Sequence, residues 1–243
     1  MVRPRTTLGP REPAAAAVKM RIFMYIDELE LYAADLTPLR AFYGELLGLP
    51  VTGASNDTRL ELRVGPSLLR FVHAPAGWQG VYHFAFNIPE NQIAAGRAWL
   101  AQRVALIADS AGRNQFHSDD WDSDQCYFYD PAGNIGELIA RHTLPNASGE
   151  PFGTASLLRV SEIGLVVEDV PAVVATLQAQ LGLATYGSPS VSFAPLGDEH
   201  GLLILVPLGR IWFPETGIAA APAPVRASLR IGSEPIAFSD TDC

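Results

Sequence analysis

The chain has 243 residues, 48% of them hydrophobic and only 18% charged, which is enough to bury a large core as one or two globular domains. Its net charge of -9 disfavours a nucleic-acid or anionic-membrane partner, and no apolar run approaches the ~20 residues that span a bilayer. Two cysteines, Cys126 and Cys243, give neither a disulfide framework nor a zinc-ribbon spacing, so a reducing cytoplasm is the expected compartment.

Residues 1–24 carry Arg3, Arg5, Pro10, Pro13 and the Ala14–Ala17 run without an apolar period, and read as a disordered leader. Regular structure is expected from Tyr25. Alternation sets Leu29, Leu31 and Ala33 against Glu28, Glu30 and Tyr32, the pattern of a half-buried strand. A helix follows, with Thr37 as cap, Pro38 in its first turn, a stripe of Leu39, Phe42, Leu46 and Leu47, and Gly48 at its end. Strands are expected near 50–54, 59–64 and 67–73, the last two joined by a Gly65-Pro66 turn.

Residues 82–140 repeat this β-α-β-β-β plan. Tyr82, Phe84, Phe86 and Ile88 alternate with His83, Ala85 and Asn87, and a helix with Ile93, Arg97 and Leu100 follows Pro89. The acidic stretch 110–124, with His117 inside it, reads as a surface excursion or lid. Residues 125–141 read as a hairpin turning at Asp130, Pro131, Gly133 and Asn134. Its second strand holds Glu137 among apolar neighbours. A buried carboxylate there needs a cationic partner, a hydrogen-bonding partner or a metal; Arg70 and Arg141 are candidate ion-pair partners.

A third copy starts at Arg159. A constant offset of 134 sets Glu162 on Glu28, Asp169 on Asp35, Gly182 on Gly48 and Leu202 on Leu68. A fourth begins with Val225–Ile231, similar to the strand at 82–88, and the residues after it leave no room for another helix and hairpin. The expected organisation is α+β: a leader (1–24), a complete module of two units (25–145), a linker (146–158) and a partial second module (159–243).

The stretches LYAADLTPLRAFYGELLGLPV, HFAFNI and FYDPAGNIGEL resemble the vicinal oxygen chelate superfamily, which includes glyoxalase I, bleomycin- and fosfomycin-resistance proteins and extradiol dioxygenases. The resemblance implies paired units whose sheets curl into a cup, with a divalent metal on the inner face. Carried over position by position, it implies Glu28, His83 and Glu137 as ligands, with Fe, Mn, Ni, Co or Zn as the ion. Glu28 stands where histidine is common in the dioxygenases, and a further ligand position near Leu69, Arg70 and Phe71 holds no donor. Two carboxylates ~5 Å apart repel by about 3 kcal/mol at an effective dielectric of ~20, which a cation relieves.

His117 is the candidate acid or base, because imidazole titrates near neutral pH, and Tyr127 the second candidate catalytic group. Tyr32, Asn87 and Arg141 are candidates for binding substrate. Glu162 and Arg226, the later counterparts of Glu28 and His83, are expected to form an ion pair in a metal-free cup. The expected activity is that of a metal-dependent enzyme acting on a small organic substrate through adjacent oxygens, dioxygenase-like or glyoxalase-like. The alternative is a metal-free protein that binds an antibiotic or metabolite, with Trp78, Trp121 and Trp212 stacking on it. Strand edges left by the incomplete last unit make a homodimer a further expectation.

Overall fold

The computed structural model describes residues 23–240; the proposed leader lies, apart from its last two residues, outside them. Strand β1 (Met24–Ala33) starts at Met24, one residue earlier than expected, and its alternation is as predicted: Leu29, Leu31 and Ala33 are buried while Glu28, Glu30 and Tyr32 are half-buried.

The first helix differs from its expectation in an instructive way. After α1 (Thr37–Leu39) the chain widens over Arg40–Leu46, where Leu47 N donates to Phe42 O at 2.9 Å. Bonds spanning five residues turn the buried stripe. Tyr43 is therefore buried and Leu46 is 44% exposed. Asp35, not Thr37, supplies the capping oxygen, accepting from Thr37 N at 2.8 Å. Gly48 ends the helix in the left-handed region at φ 74°, as expected.

Strands β2 (Arg59–Val64) and β3 (Ser67–His73) form where predicted, but the stretch at 50–54 contributes only a single bridge, Val51 to Leu62. Then come β4 (His83–Ile88), α2 (Ile93–Ala101), β5 (Leu106–Ile107), β6 (Phe116–Ser118), β7 (Ser123–Tyr129) and β8 (Ile135–Arg141). The third unit supplies β9 (Arg159–Val167), α3 (Val170–Leu181), β10 (Ala194–Asp198) and β11 (Gly201–Pro207). Asp169 caps α3 by accepting from Ala172 N at 3.0 Å, and Gly182 closes it at φ 67°. The fourth unit supplies β12 (Val225–Ile231) and β13 (Glu234–Ser239).

The strands form two open, mixed sheets, and the order of units within them positions everything that follows. The smaller sheet runs β13-β12-β1-β3-β2, joining the first unit to the fourth. The larger runs β10-β11-β9-β4-β8-β7-β5, with β6 on β7, joining the second unit to the third. Sheet partners therefore come from different halves of the chain: β1 is antiparallel to β12 and β4 is antiparallel to β9.

Strand alternation gives the larger sheet two apolar faces. Phe84, Phe86, Leu138, Ile163 and Leu203 join the main core with the helices and with Leu29 and Leu31 of the smaller sheet. The opposite face carries Ile135, Leu202, Ile204 and Val206 beneath Trp212. Strand β8 lies between β4 and β7 with both faces covered, so all seven of its residues are buried, Glu137 included. Cys126 packs in the main core, and burial pushes its thiol up to about 12, so it is a packing residue.

A buried His and two carboxylates at the floor of an aromatic cavity

Three polar side chains rise from neighbouring strands on the concave face of the larger sheet. His83 opens β4, Glu137 sits mid-β8, and Glu162 lies on β9, where it pairs with Ala85 of β4. Ala85 also faces Glu137 across the β4–β8 ladder, so the two glutamates flank one small residue. His83 Nε2 is 3.3 Å from Glu137 Oε2 and 4.0 Å from Glu162 Oε2, and one donor atom from each residue falls within 4.8 Å of the others. Each residue is at least 92% buried: His83 is 8% exposed, Glu137 3% and Glu162 2%.

Glu162 is oriented from behind. Its Oε1 accepts a short hydrogen bond from Arg141, which is wholly buried, and this leaves Oε2 turned towards His83. Arg141 is itself held by Asn87, whose Oδ1 accepts from Arg141 Nε at 3.2 Å while its amide donates to Glu199 O at 2.9 Å. Trp121 and Tyr186 cover the guanidinium, with ring centroids 5.2 and 5.5 Å from its carbon.

Burial and the charge of Glu137 push the Glu162 carboxyl up to about 7 against the opposing pull of Arg141 and His83. For His83, burial favours the neutral ring, but the hydrogen bond and charge of Glu137 with the charge of Glu162 outweigh it and raise its pKa. Tyr127 is raised far above the usual phenol range by burial first, then by the charges of Glu137, its partner across the β7–β8 ladder, and of Glu162. Within 4.8 Å of each other and at an effective dielectric of ~20, the two carboxylates repel by about 3 kcal/mol or more, so they share the space only with protons or cations between them.

Above this floor opens a cavity of ≈ 370 Å³. Tyr127, Phe116, Trp121, Phe193, Trp212 and Phe213 supply its aromatic walls. Trp212 lies 5.4 Å from His83, ring to ring, over Gly164, where an added Cβ would come within 2.6 Å of the indole. The acidic excursion closes one side of the mouth: β6 folds back on β7, and Phe116, His117, Ser118, Asp120 and Trp121 all face the cavity.

Several expected site residues lie elsewhere. Glu28 is on the smaller sheet, bound to Arg70 at 3.4 Å and not beside His83, because β1 pairs with β12 and β3 rather than with β4. Tyr32 is there too, edge-on to Trp78, and neither lines the cavity. Arg141 reaches Glu162 from behind and Asn87 holds Arg141 in turn, and neither lines the open space. His117 is at the rim and Tyr127 in the wall. The expected Glu162–Arg226 pair does not form: Glu162 takes Arg141, and Arg226 takes Glu30 at 3.4 Å on the other sheet. Arg70, a candidate partner for Glu137, is committed to Glu28, Glu30 and Glu61. The residue missed as a neighbour of His83 and Glu137 is Glu162. Its signal was present in the 134-residue offset that superposes it on Glu28.

No family model and no curated protein matches the chain. Among solved structures it is similar to a Bacillus subtilis protein described as a dioxygenase, with TM-score 0.57 and 16% identity over 89% of this chain and 84% of that one. It is also similar to a glyoxalase I variant from Zea mays, with TM-score 0.51 and 15% identity over 91% of this chain and 94% of that one. At such identities the likeness concerns the fold.

Proposed function

We propose that this chain, whose fold is that of the vicinal oxygen chelate proteins, is a metal-dependent enzyme acting on a small organic substrate through two adjacent oxygens. The observation that carries the proposal is the convergence of His83, Glu137 and Glu162 at the floor of an aromatic cavity. The three donors fit a divalent ion: they are nitrogen and oxygen without thiolate, they approach from three strands, and a cation removes the repulsion between the glutamates. A bound ion would supply Lewis acidity to substrate oxygens.

The remaining chemistry falls to the chain's own residues. Arg141 holds Glu162 by one oxygen and directs the other inwards. Tyr127 stands in the wall as the cross-strand neighbour of Glu137. The aromatic walls exclude water and strengthen every charge interaction at the floor. His117 stands on the rim and borders the cavity mouth. Two carboxylates beside one imidazole give the ion a more negative donor set than two imidazoles and one carboxylate would. That favours proton transfer next to an activated carbonyl, as in a glyoxalase-like lyase or isomerase, over oxygen activation.

A second reading, a metal-free binding protein, is favoured by one observation: with His83 protonated, His83 and Arg141 together neutralise Glu137 and Glu162. Elemental analysis separates the two. The purified protein is expected to hold one metal ion per chain more than His83→Ala and Glu162→Gln; equal metal content in all three would leave the binding protein. With metal present, isomerisation of thiol adducts is expected, and oxygen uptake with catechols would instead indicate a dioxygenase.

A further inference from the structure

A second set of donors lies on the outer side of the cavity rim. His117 on β6 faces Asp124 on β7 across the antiparallel ladder. His142, just beyond β8, is tied to the same hairpin by its backbone N–H, which donates to Asp122 O at 2.8 Å. The sheet backbone therefore fixes all three residues. Asp124 lies between the two rings: its Oδ1 is 3.1 Å from His117 Nδ1 and its Oδ2 is 3.1 Å from His142 Nε2. Around a tetrahedral ion with bonds of ~2.0–2.1 Å, neighbouring ligand atoms lie about 3.3 Å apart. Each imidazole thus stands at that spacing from Asp124, and one donor atom from each of the three residues lies within 4.8 Å of the others.

The far nitrogens supply an independent observation. His117 Nε2 is 3.4 Å from Asp119 Oδ1, and His142 Nδ1 is 3.1 Å from Glu90 Oε2. A carboxylate behind each imidazole is the arrangement that sets tautomer and ring orientation in metal-binding histidines. Simple ion pairing would need one carboxylate per histidine, whereas here two histidines meet three, leaving net negative charge even with both rings protonated.

We propose that His117, Asp124 and His142 form a second, solvent-accessible site for a divalent ion of the zinc type, with Asp119 and Glu90 orienting the two imidazoles. Two imidazoles and one carboxylate leave a fourth position to water. Because His117 and Ser118 also line the cavity, an ion here fastens β6 to the β7–β8 hairpin and fixes one side of the opening. The site does not depend on the buried cluster.

Calorimetric titration of the full chain with zinc tests this. His117→Gln is expected to bind one ion fewer than the unmutated protein, and it alters a half-exposed ring that the core does not need. Asp124→Asn is expected to do the same. The double variant Asp119→Asn/Glu90→Gln keeps all three donors and should weaken that ion about tenfold. Glu137→Gln reports on the buried cluster alone and should leave the rim ion in place. Unchanged stoichiometry and affinity in His117→Gln and Asp124→Asn would overturn the proposal.

Discussion

On the smaller sheet, the positions that match the cavity floor of the larger one carry Glu28, Glu30, Arg70 and Arg226, where the larger sheet has Glu162, Gly164, Ile204 and His83. The ladders are in the same register: Glu28 and Glu30 pair with Leu68 and Arg70 on β3, just as Glu162 and Gly164 pair with Leu202 and Ile204 on β11. What differs is what fills the concavity. Arg70 reaches Glu28, Glu30 and Glu61 at 3.4, 3.3 and 2.7 Å and satisfies the carboxylates with protein charge. In the larger sheet an isoleucine and a glycine leave the carboxylate open above, Trp212 settles over the glycine, and Glu137 arrives from β8. Among the described residues the fourth unit supplies no strand corresponding to β8. One repeated plan thus gives an ion-paired hollow open to solvent on one sheet and an aromatic-walled cavity on the other, separated by a few side chains.

The largest expected effect comes from closing the open cup. Ile204→Arg places a guanidinium in the register Arg70 occupies, within reach of Glu162 and Glu137. Metal content is expected to fall by one ion per chain, that of the buried cluster, with an overpacking cost of about 1–3 kcal/mol. Ile204→Met, similar in bulk without charge, should keep its metal. If Ile204→Arg also keeps it, Arg70 does not account for the difference between the sheets.

Next in size is the removal of Arg141. Arg141→Met leaves Glu162 buried without its cation, which costs about 3–5 kcal/mol in the metal-free protein. Chemical denaturation should show the loss, and Arg141→Met/Glu162→Leu should recover most of it, because replacing both members of a buried pair with apolar groups is nearly neutral. A double variant as unstable as the single one would mean that Arg141 acts through packing under Trp121 and Tyr186 instead.

A smaller effect concerns pH. The Glu162 carboxyl is raised from 4.5 to about 7, so the native state holds its proton where the unfolded chain has released it. Stability of the metal-free protein should therefore fall as pH rises from about 4.5 to about 7. His83, also raised, loses its contribution in the same direction as pH climbs past its own elevated value. Denaturation midpoints in chelator, measured across this window, should slope downwards and flatten in Glu162→Gln. Metal affinity should run the other way, since the ligands must shed protons to bind. Parallel slopes for the two proteins would remove Glu162 as the titrating group.

Much of this was legible in the residues. The Gly65-Pro66 turn marked β2 and β3 at their bounds, the repeat marked β12, and alternation marked the His83 face opposite the Phe84 face and Glu137 as the anomaly in an apolar strand. That Glu162, and not Glu28, lies beside His83 and Glu137 was not read from the sequence, for a physical reason. Each strand's own sequence tells which side chains share a face, but sheet neighbours are chosen by long-range pairing, and β4 lies beside β9 rather than β1. Internal repetition made Glu28 and Glu162 equivalent, and nothing local distinguishes the copy that meets His83. Leu46 was misplaced for a different reason, since five-residue bonding shifts a helical stripe that a 3.6-residue period cannot anticipate.

The smallest effect belongs to the ion-paired hollow of the smaller sheet and sharpens the contrast from its other side. Arg70 is 16% exposed in its side chain, Glu61 6%, but Glu28 47%, so water screens the Glu28 contact and the short bond to Glu61 carries most of the interaction. Arg70→Met should therefore cost only about 1 kcal/mol, as expected for a partly buried charged hydrogen bond offset by the retained aliphatic packing. Added salt should narrow the gap to the unmutated protein, because the remaining Glu28, Glu30 and Glu61 repel one another where solvent ions can reach them. Metal content should not change. The smaller sheet would then be stabilised by Arg70 without taking part in metal binding, whereas a loss of metal on Arg70→Met would show that the two cups are energetically linked through the core they share.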